Sequence, residues 1–402
     1  MVCEYIKNNI GKTIRENKED NGTLIGLPYP YTVPCADGMF QEMYYWDTYF
    51  TNVGLCLIRA YERAKNNVDN MIYLVERFGY MPNGNRTYYL NRSQPPFLSF
   101  MVRDIYEHYK DKEWLGKAYD ALETEYSFWM TRRMTETGLN QYGGTLIKDE
   151  AKQHADRYRC RTGLEMKDTD DMELYRHYIS FCESGWDINP RWDFESYNYI
   201  QPEINSLLYG LEKNMEYFSK ELGNRNEEKW SAAADRRLKL MNEYLVGENG
   251  LFCDYNFVKK TKGKIFSAAA FYPLFAGCAS KEQAASAVSA LNRIEGGYGV
   301  FACEKNDTIG SYQWDYPNSW PPVTYIVIRG LIAYGYTDDA LRIAEKYIHA
   351  SDKIFKETGC LWEKYNADEG SVNVTHEYET PPMIGWCAGA YLYCKSISEG
   401  KV

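Results

Sequence analysis

Five tryptophans in this chain stand directly before an acid: Trp46-Asp47, Trp186-Asp187, Trp192-Asp193, Trp314-Asp315 and Trp362-Glu363. Ten tryptophans and 56 acids scattered at random over 402 residues would give roughly one such pair. An indole face stacks on the apolar C-H face of a sugar ring while a carboxylate binds its hydroxyls, and an indole beside a carboxyl can strip it of water and raise its pKa. The pattern points to a sugar site. Core aromatics with a solvated acidic neighbour are the plainer alternative.

Hydrolysing a glycosidic bond takes one carboxylic acid to protonate the leaving oxygen and a second carboxylate, across the sugar, as base or nucleophile. Asp187 is the acid candidate, because Trp186 and Trp192 could keep water from it. Glu363, in LWEKY, is the base candidate. Asp47, Glu183, Asp193, Asp315 and Glu377 have similar settings, so residue types alone leave the pairing open. Other chemistries find less support. The histidines, His108, His154, His177, His349 and His376, lack metal-ligand spacing, so no metal is expected. There is no GxSxG elbow and no phosphate-binding GxxxxGK[ST] loop, and GGYGVF is not a dinucleotide fingerprint.

The elements that must carry these residues read as helices. In PEINSLLYGLEKNMEYFSKELG, apolar residues from Ile204 to Leu222 recur every three or four positions and Gly223 marks the end. PPFLSFMVRDIYEHYK, KEWLGKAYDALETEYSFWMTRRM, EKWSAAADRRLKLMNEYLV, KEQAASAVSALNRI and the long run from Pro321 to Phe355 show the same period. Strand signals are short, as in GLFCDYNFV after Gly250. No linker or low-complexity run divides the chain, which reads as one domain over residues 1–402. Helix following helix suits an all-α toroid, with the Trp-acid motifs in loops or helix mouths that converge at one end of its axis.

A net charge of -10 and the absence of basic runs argue against nucleic acid and anionic membrane as partners. The N-terminal residues carry charges throughout, without the apolar core of a signal peptide, and no stretch is apolar enough to span a bilayer. Eleven cysteines, an odd number without CxxC pairing, fit reduced thiols. The expected setting is the cytoplasm.

Six blocks between residues 36 and 386 then resemble the signatures of the trehalase family in the family's order: ADGMFQEMYYWDTYF, NGNRTYYLNRSQPP, ESGWDINPRW, QWDYPNSWPP, LWEKYN, and HEY ahead of GW. The resemblance implies an (α/α)6 barrel and an inverting α-glycoside hydrolase without metal or organic cofactor. It implies Asp187 as general acid and Glu363 as general base. Phe40, Tyr45, Trp46, Asp47, Asn83, Gln94, Gly185 and Trp186 would shape the sugar site together with Gln313, Trp314, Trp320, Glu377 and Trp386. Arg92 would reach the second sugar.

Met39 stands where trehalases have an arginine, and their PRPESY block has only a loose counterpart near Arg161. The related bacterial α-glucosidases, among them hydrolases of glucosylglycerate and mannosylglycerate, share the barrel and its two carboxylates. For an acidic aglycone of that kind, Arg92, Arg161 or Arg191 could supply the cation. Arg191 could instead pair with Asp193 or Glu195. A sugar-binding protein that keeps the fold without turnover is the remaining alternative.

Overall fold

Residues Tyr45–Leu57 (α2) are apolar nearly all round and buried along almost the whole helix, whereas Tyr61–Phe78 (α3) buries one face and shows charges on the other. A helix of the first kind belongs inside a bundle and one of the second kind on its outside. The alternation recurs through the computed structural model, which describes residues 1–308, 312–374 and 378–401. Before this pair comes α1 (Val2–Asn9), and after it α4 (Leu98–Tyr109) and α5 (Lys112–Arg132). A hairpin of α6 (Ala151–Thr162) and α7 (Asp171–Ser184) follows, then α8 (Pro202–Leu222) and α9 (Glu227–Tyr244). The remainder comprises α10 (Tyr272–Phe275), α11 (Lys281–Ser289), α12 (Pro321–Ala333), α13 (Thr337–Thr358) and α14 (Gly385–Ser398).

Packing between elements closes a ring. α2 packs on α4, α4 on α8, α8 on α10, α10 on α12, α12 on α14, and α14 returns to α2. Around it, α3 bridges α2 and α4, α5 bridges α4 and α8, and α13 bridges α12 and α14. This is the expected helical toroid, and one continuous buried apolar cluster runs from Val2 to Ile397. The α6–α7 hairpin stands outside the alternation and packs chiefly on itself.

Two sequence expectations change in detail. The run from Pro321 to Phe355 is two helices, because Gly335 adopts φ 82 and breaks the ladder after Ala333. GLFCDYNFV supplies only the two-residue strand Tyr255–Asn256 and a bridge from Phe252 to Val246. All the strands among the described residues are similarly short and pin loops rather than build a layer. No helix is long and apolar enough to cross a membrane among the described residues.

Ring closure between α2 and α14 has no room for a side chain. A Cβ on Gly389 would lie 1.9 Å from the Phe50 carbonyl oxygen, and one on Gly54 would lie 3.0 Å from the Gly389 nitrogen. Gly389→Ala should therefore cost about 3 kcal/mol or more in chemical denaturation, because both helix backbones would have to part. Gly116, on α5, has nothing within 4 Å of its would-be Cβ. Gly116→Ala should be neutral or stabilising by up to about 1 kcal/mol. Equal stability of the two variants would refute the close-packing argument.

Candidate active site

The Trp-acid segments meet where inner helices begin. Trp46 and Asp47 lie in the first turn of α2, Trp320 is the N-cap of α12, and Trp386 follows the first residue of α14. Glu363 lies between α13 and α14, in a loop tied to the Trp314–Trp320 segment by antiparallel pairing of Asn318 with Asn366 and Ser319 with Tyr365. Asp187 follows α7, which ends at Gly185 in the left-handed conformation (φ 72). A Cβ at Gly185 would stand 2.8 Å from the Trp46 indole, so this position needs glycine both for its backbone and for the ring packed against it.

These segments line one cavity open to solvent at its mouth. Four indoles line it. Trp314 and Trp320 stack in parallel at 3.8 Å, Trp46 lies 5.7 Å from Trp314, and Trp386 meets Trp46 and Trp320 edge-on. Phe40 sets its edge against Tyr44 and Tyr378. The neutral polar lining comes from Asn83, Gln94 and Gln313. Gln94 accepts the Trp46 backbone N–H at 3.3 Å, and Asn83 accepts Arg92 Nε at 2.8 Å. Gln313 Oε1 is buried and has no hydrogen-bond partner among the described residues, which leaves an acceptor for a ligand hydroxyl.

Three carboxyl groups share the cavity with different environments. Asp187 has a side chain 31% exposed, and its Oδ2 accepts Arg161 Nη2 at 2.8 Å. Glu363 is buried. Its Oε2 accepts the buried Lys364 ammonium at 2.7 Å and its Oε1 accepts the Tyr378 hydroxyl at 2.7 Å. Burial pushes the Glu363 carboxyl above the usual range and the Asp187 charge adds to this, while Lys364 and Tyr378 act in the opposite sense. Asp47 is pushed up to about 8, chiefly by burial and further by the charges of Glu363 and Asp187. Lys364 Nζ also lies 4.8 Å from the Trp320 ring and 4.7 Å from the Tyr378 ring, so its charge is flanked by aromatic faces. Among the described residues no group of His, Cys, Asp or Glu could hold a metal ion.

Most of the residues expected at the sugar line this cavity, with clear exceptions. Tyr45 turns to the opposite side of α2, where its hydroxyl bonds Glu125 and accepts the Leu98 N–H at 3.0 Å. Trp186 is fully buried behind the lining and stacks on Trp314 at 5.2 Å. Arg191 is not a substrate cation. Its guanidinium holds Glu203 at 3.0 and 2.9 Å and Asp254 at 3.1 and 2.7 Å, between the faces of Trp186 and Trp192. Its suggested partners are engaged elsewhere, Asp193 with Tyr199 and Glu195 with Lys259. Glu183 anchors Arg133 and the backbone N–H groups of Ser93 and Gly143. Nor do indoles shield Asp187; the water-excluded acids are Asp47 and Glu363. Glu377 lies outside the described residues.

Several lining residues escaped the sequence reading: Tyr44, Tyr89, Cys182, Tyr378 and Met383. Tyr44 and Tyr89 sit inside the quoted motifs and Tyr378 closes HEY, so proximity to a motif was the available signal. Lys364 was equally close, beside Glu363, but a lysine after an acid reads as a solvated neighbour.

The trehalase family model matches residues 2–397. A periplasmic trehalase of Xanthomonas oryzae is 32% identical over 406 residues, covering 94% of this chain and 70% of that protein. One from Pseudomonas aeruginosa is 30% identical, covering 92% and 72%. Among solved structures, the neutral trehalase Nth1 from Saccharomyces cerevisiae superposes with a TM-score of 0.79 at 28% identity, covering 99% of this chain and 80% of that one. A mannosylglycerate hydrolase from Thermus thermophilus shares the fold, with a TM-score of 0.66 at 15% identity.

These relatives overturn the expected cytoplasmic setting, since the curated proteins are named periplasmic trehalases. The cysteines do not specify a compartment, because Cys35, Cys182, Cys278, Cys303, Cys387 and Cys394 are buried and pack as small apolar groups in any of them. With a family match along nearly its whole length and relatives alike in sequence and in fold, the chain belongs to the trehalase family of glycoside hydrolases.

Proposed function

We propose that the chain, acting as one barrel domain, hydrolyses a small α-glucosyl disaccharide, with trehalose the leading substrate, and inverts the anomeric centre. The observation that carries this reading is a pair of carboxyl groups in unlike surroundings lining one tryptophan-rich cavity: Asp187 partly open to solvent beside Arg161, and Glu363 buried between Lys364 and Tyr378. Asp187 gives a proton to the glycosidic oxygen as the C1–O bond breaks. Glu363 takes a proton from the water that attacks C1 from the opposite face. Asp47, Asn83, Gln94 and Gln313 bind ring hydroxyls, and the indoles carry the sugar's apolar faces.

A buried base must stay ionised to work. Lys364 and Tyr378 bond the charged form of Glu363 and offset part of the cost of burial, and each carboxylate oxygen keeps a free lone pair for water.

Product analysis by NMR should show one β-glucose and one α-glucose from each trehalose at early times, the β anomer formed at the attacked carbon and the α anomer on the departing glucose. Asp187→Asn and Glu363→Gln should each lower kcat by about 10² to 10⁴-fold with folding retained, the usual contribution of a general acid or base. Near-normal turnover in either variant would remove that residue from its role, and calorimetric sugar binding without release would point to a binding protein instead.

The pH profile carries a separate test. Because the Glu363 pKa is raised, the acid limb of kcat/KM should lie above the ordinary glutamate value of about 4.3. Tyr378→Phe deletes a hydrogen bond to the ionised form, so that limb should move to still higher pH. A limb that stays put or moves down would exclude Tyr378 from tuning the base.

A further inference from the structure

Asp187 is carried by an element that the ring of helices does not hold. The α6–α7 hairpin packs chiefly on itself, and the Arg161 guanidinium that bonds the Asp187 carboxylate belongs to that same hairpin. Two buried arginines fasten this part of the chain to the barrel. Arg133, at the end of α5, takes Glu183 ahead of Asp187. Arg191, beyond Asp187, takes Glu203 in the first turn of α8 and Asp254 next to the strand Tyr255–Asn256.

The turn from Asp187 to Arg191 behaves as one unit because Asn189 ties it together. Its Nδ2 donates to the Trp186 carbonyl at 2.7 Å and to the Asp187 carbonyl at 3.3 Å, so it grips both peptide groups that flank the Asp187 Cα. Its Oδ1 accepts the Arg191 N–H at 3.0 Å. The side chains repeat the link. The Arg191 guanidinium lies 4.7 Å from the Trp186 ring and 4.8 Å from the Trp192 ring, and Trp186 stacks on Trp314 of the cavity wall. From Trp186 to Trp192, Asp187 alone is not buried. A planar cation bonded by two carboxylates at its edge and faced by two indoles is fixed both within its plane and across it, which an ammonium would not be.

We propose that Arg191 is a positioning residue for the general acid: anchored to Glu203 and Asp254, it sets, through Asn189 and Trp186, where the Asp187 carboxyl meets the leaving oxygen. The inference rests on the hydrolase reading above, in which Asp187 is that acid. Arg191 itself lies outside the cavity lining, so its effect falls on proton delivery rather than on contact with the sugar.

A leaving group that departs without a proton separates this role from a general loss of structure. Fluoride leaves α-glucosyl fluoride as a stable anion, whereas the glucose leaving trehalose must be protonated. Arg191→Met alone would strand two buried acids, so it is combined with Glu203→Gln and Asp254→Asn. Arg191→Lys, which keeps the charge without the planar fork, is the second variant. In the triple variant kcat for trehalose should fall about 10²-fold, the scale of a displaced catalytic group, while kcat for the fluoride falls less than about threefold. Arg191→Lys should show the same selectivity with a loss of about tenfold. Asp187→Asn is the reference and should also spare the fluoride. If it does, then equal losses on the two substrates, or no loss, in the Arg191 variants overturn the positioning role and leave the hydrolase reading standing. If Asp187→Asn loses both substrates alike, Asp187 is not the acid and the inference falls with that assignment. If the unaltered protein cleaves neither substrate, the hydrolase reading fails for these sugars and amide hydrogen exchange decides whether Arg191 holds the turn. Faster exchange in Arg191→Lys confined to residues 184–191 sustains it; unchanged exchange there overturns it.

Discussion

At Gly389 the backbone of α14 comes so close to α2 that a Cβ there would lie 1.9 Å from the Phe50 carbonyl oxygen, and the geometry of the tryptophan-lined cavity depends on this approach. Both helices begin at the cavity, α2 with Trp46 and Asp47 and α14 with Trp386. Their separation sets the 6.1 Å between the Trp46 and Trp386 rings. The Gly385 N–H bonds the Pro34 carbonyl at 3.0 Å, which fixes the start of α14 against the segment leading to Phe40. Ring closure positions the site as well as stabilising the fold.

Within that frame the acids oppose one another. Burial raises the pKa of Asp47 and of Glu363, and the charge of Asp187 raises both further. The buried Lys364 breaks the symmetry by bonding Glu363 and not Asp47. Arg161 does the same for Asp187 at the open side. One of these carboxyls is buried and the other partly solvated, and each has its own cation. Asp47 has no cation of this kind among the described residues, and burial holds its carboxyl at about 8.

The helical periods of α5, α8 and α9 were legible because amphipathic spacing survives in any outer or long helix, and the order of the motifs carried the toroid. The limits of the reading came from side-chain direction. In an extended segment neighbours point to opposite faces, so a Trp-acid pair rarely delivers both members to one cavity. Glu363 faces in while the Trp362 indole bonds Thr358; Trp314 faces in while Asp315 bonds Asn306. Only Trp46 and Asp47, in a helical first turn, both arrive. Arg191 and Tyr45 carried the right chemistry on the wrong face, and no spacing rule would have told Arg191 from Arg161. Lys364 was invisible because its burial is a property of two distant loops.

The tryptophan cluster has an optical consequence. Trp46, Trp186, Trp314, Trp320 and Trp386 are half of the ten indoles in the chain, all buried, with two rings in parallel contact at 3.8 Å and an ammonium 4.8 Å from one of them. Excitation entering one ring can migrate among its neighbours, and charge near an indole shifts and quenches emission. The near-ultraviolet spectrum and intrinsic fluorescence of the folded protein therefore include five indoles in or directly behind this cavity, so the protein carries its own reporter of what occupies it.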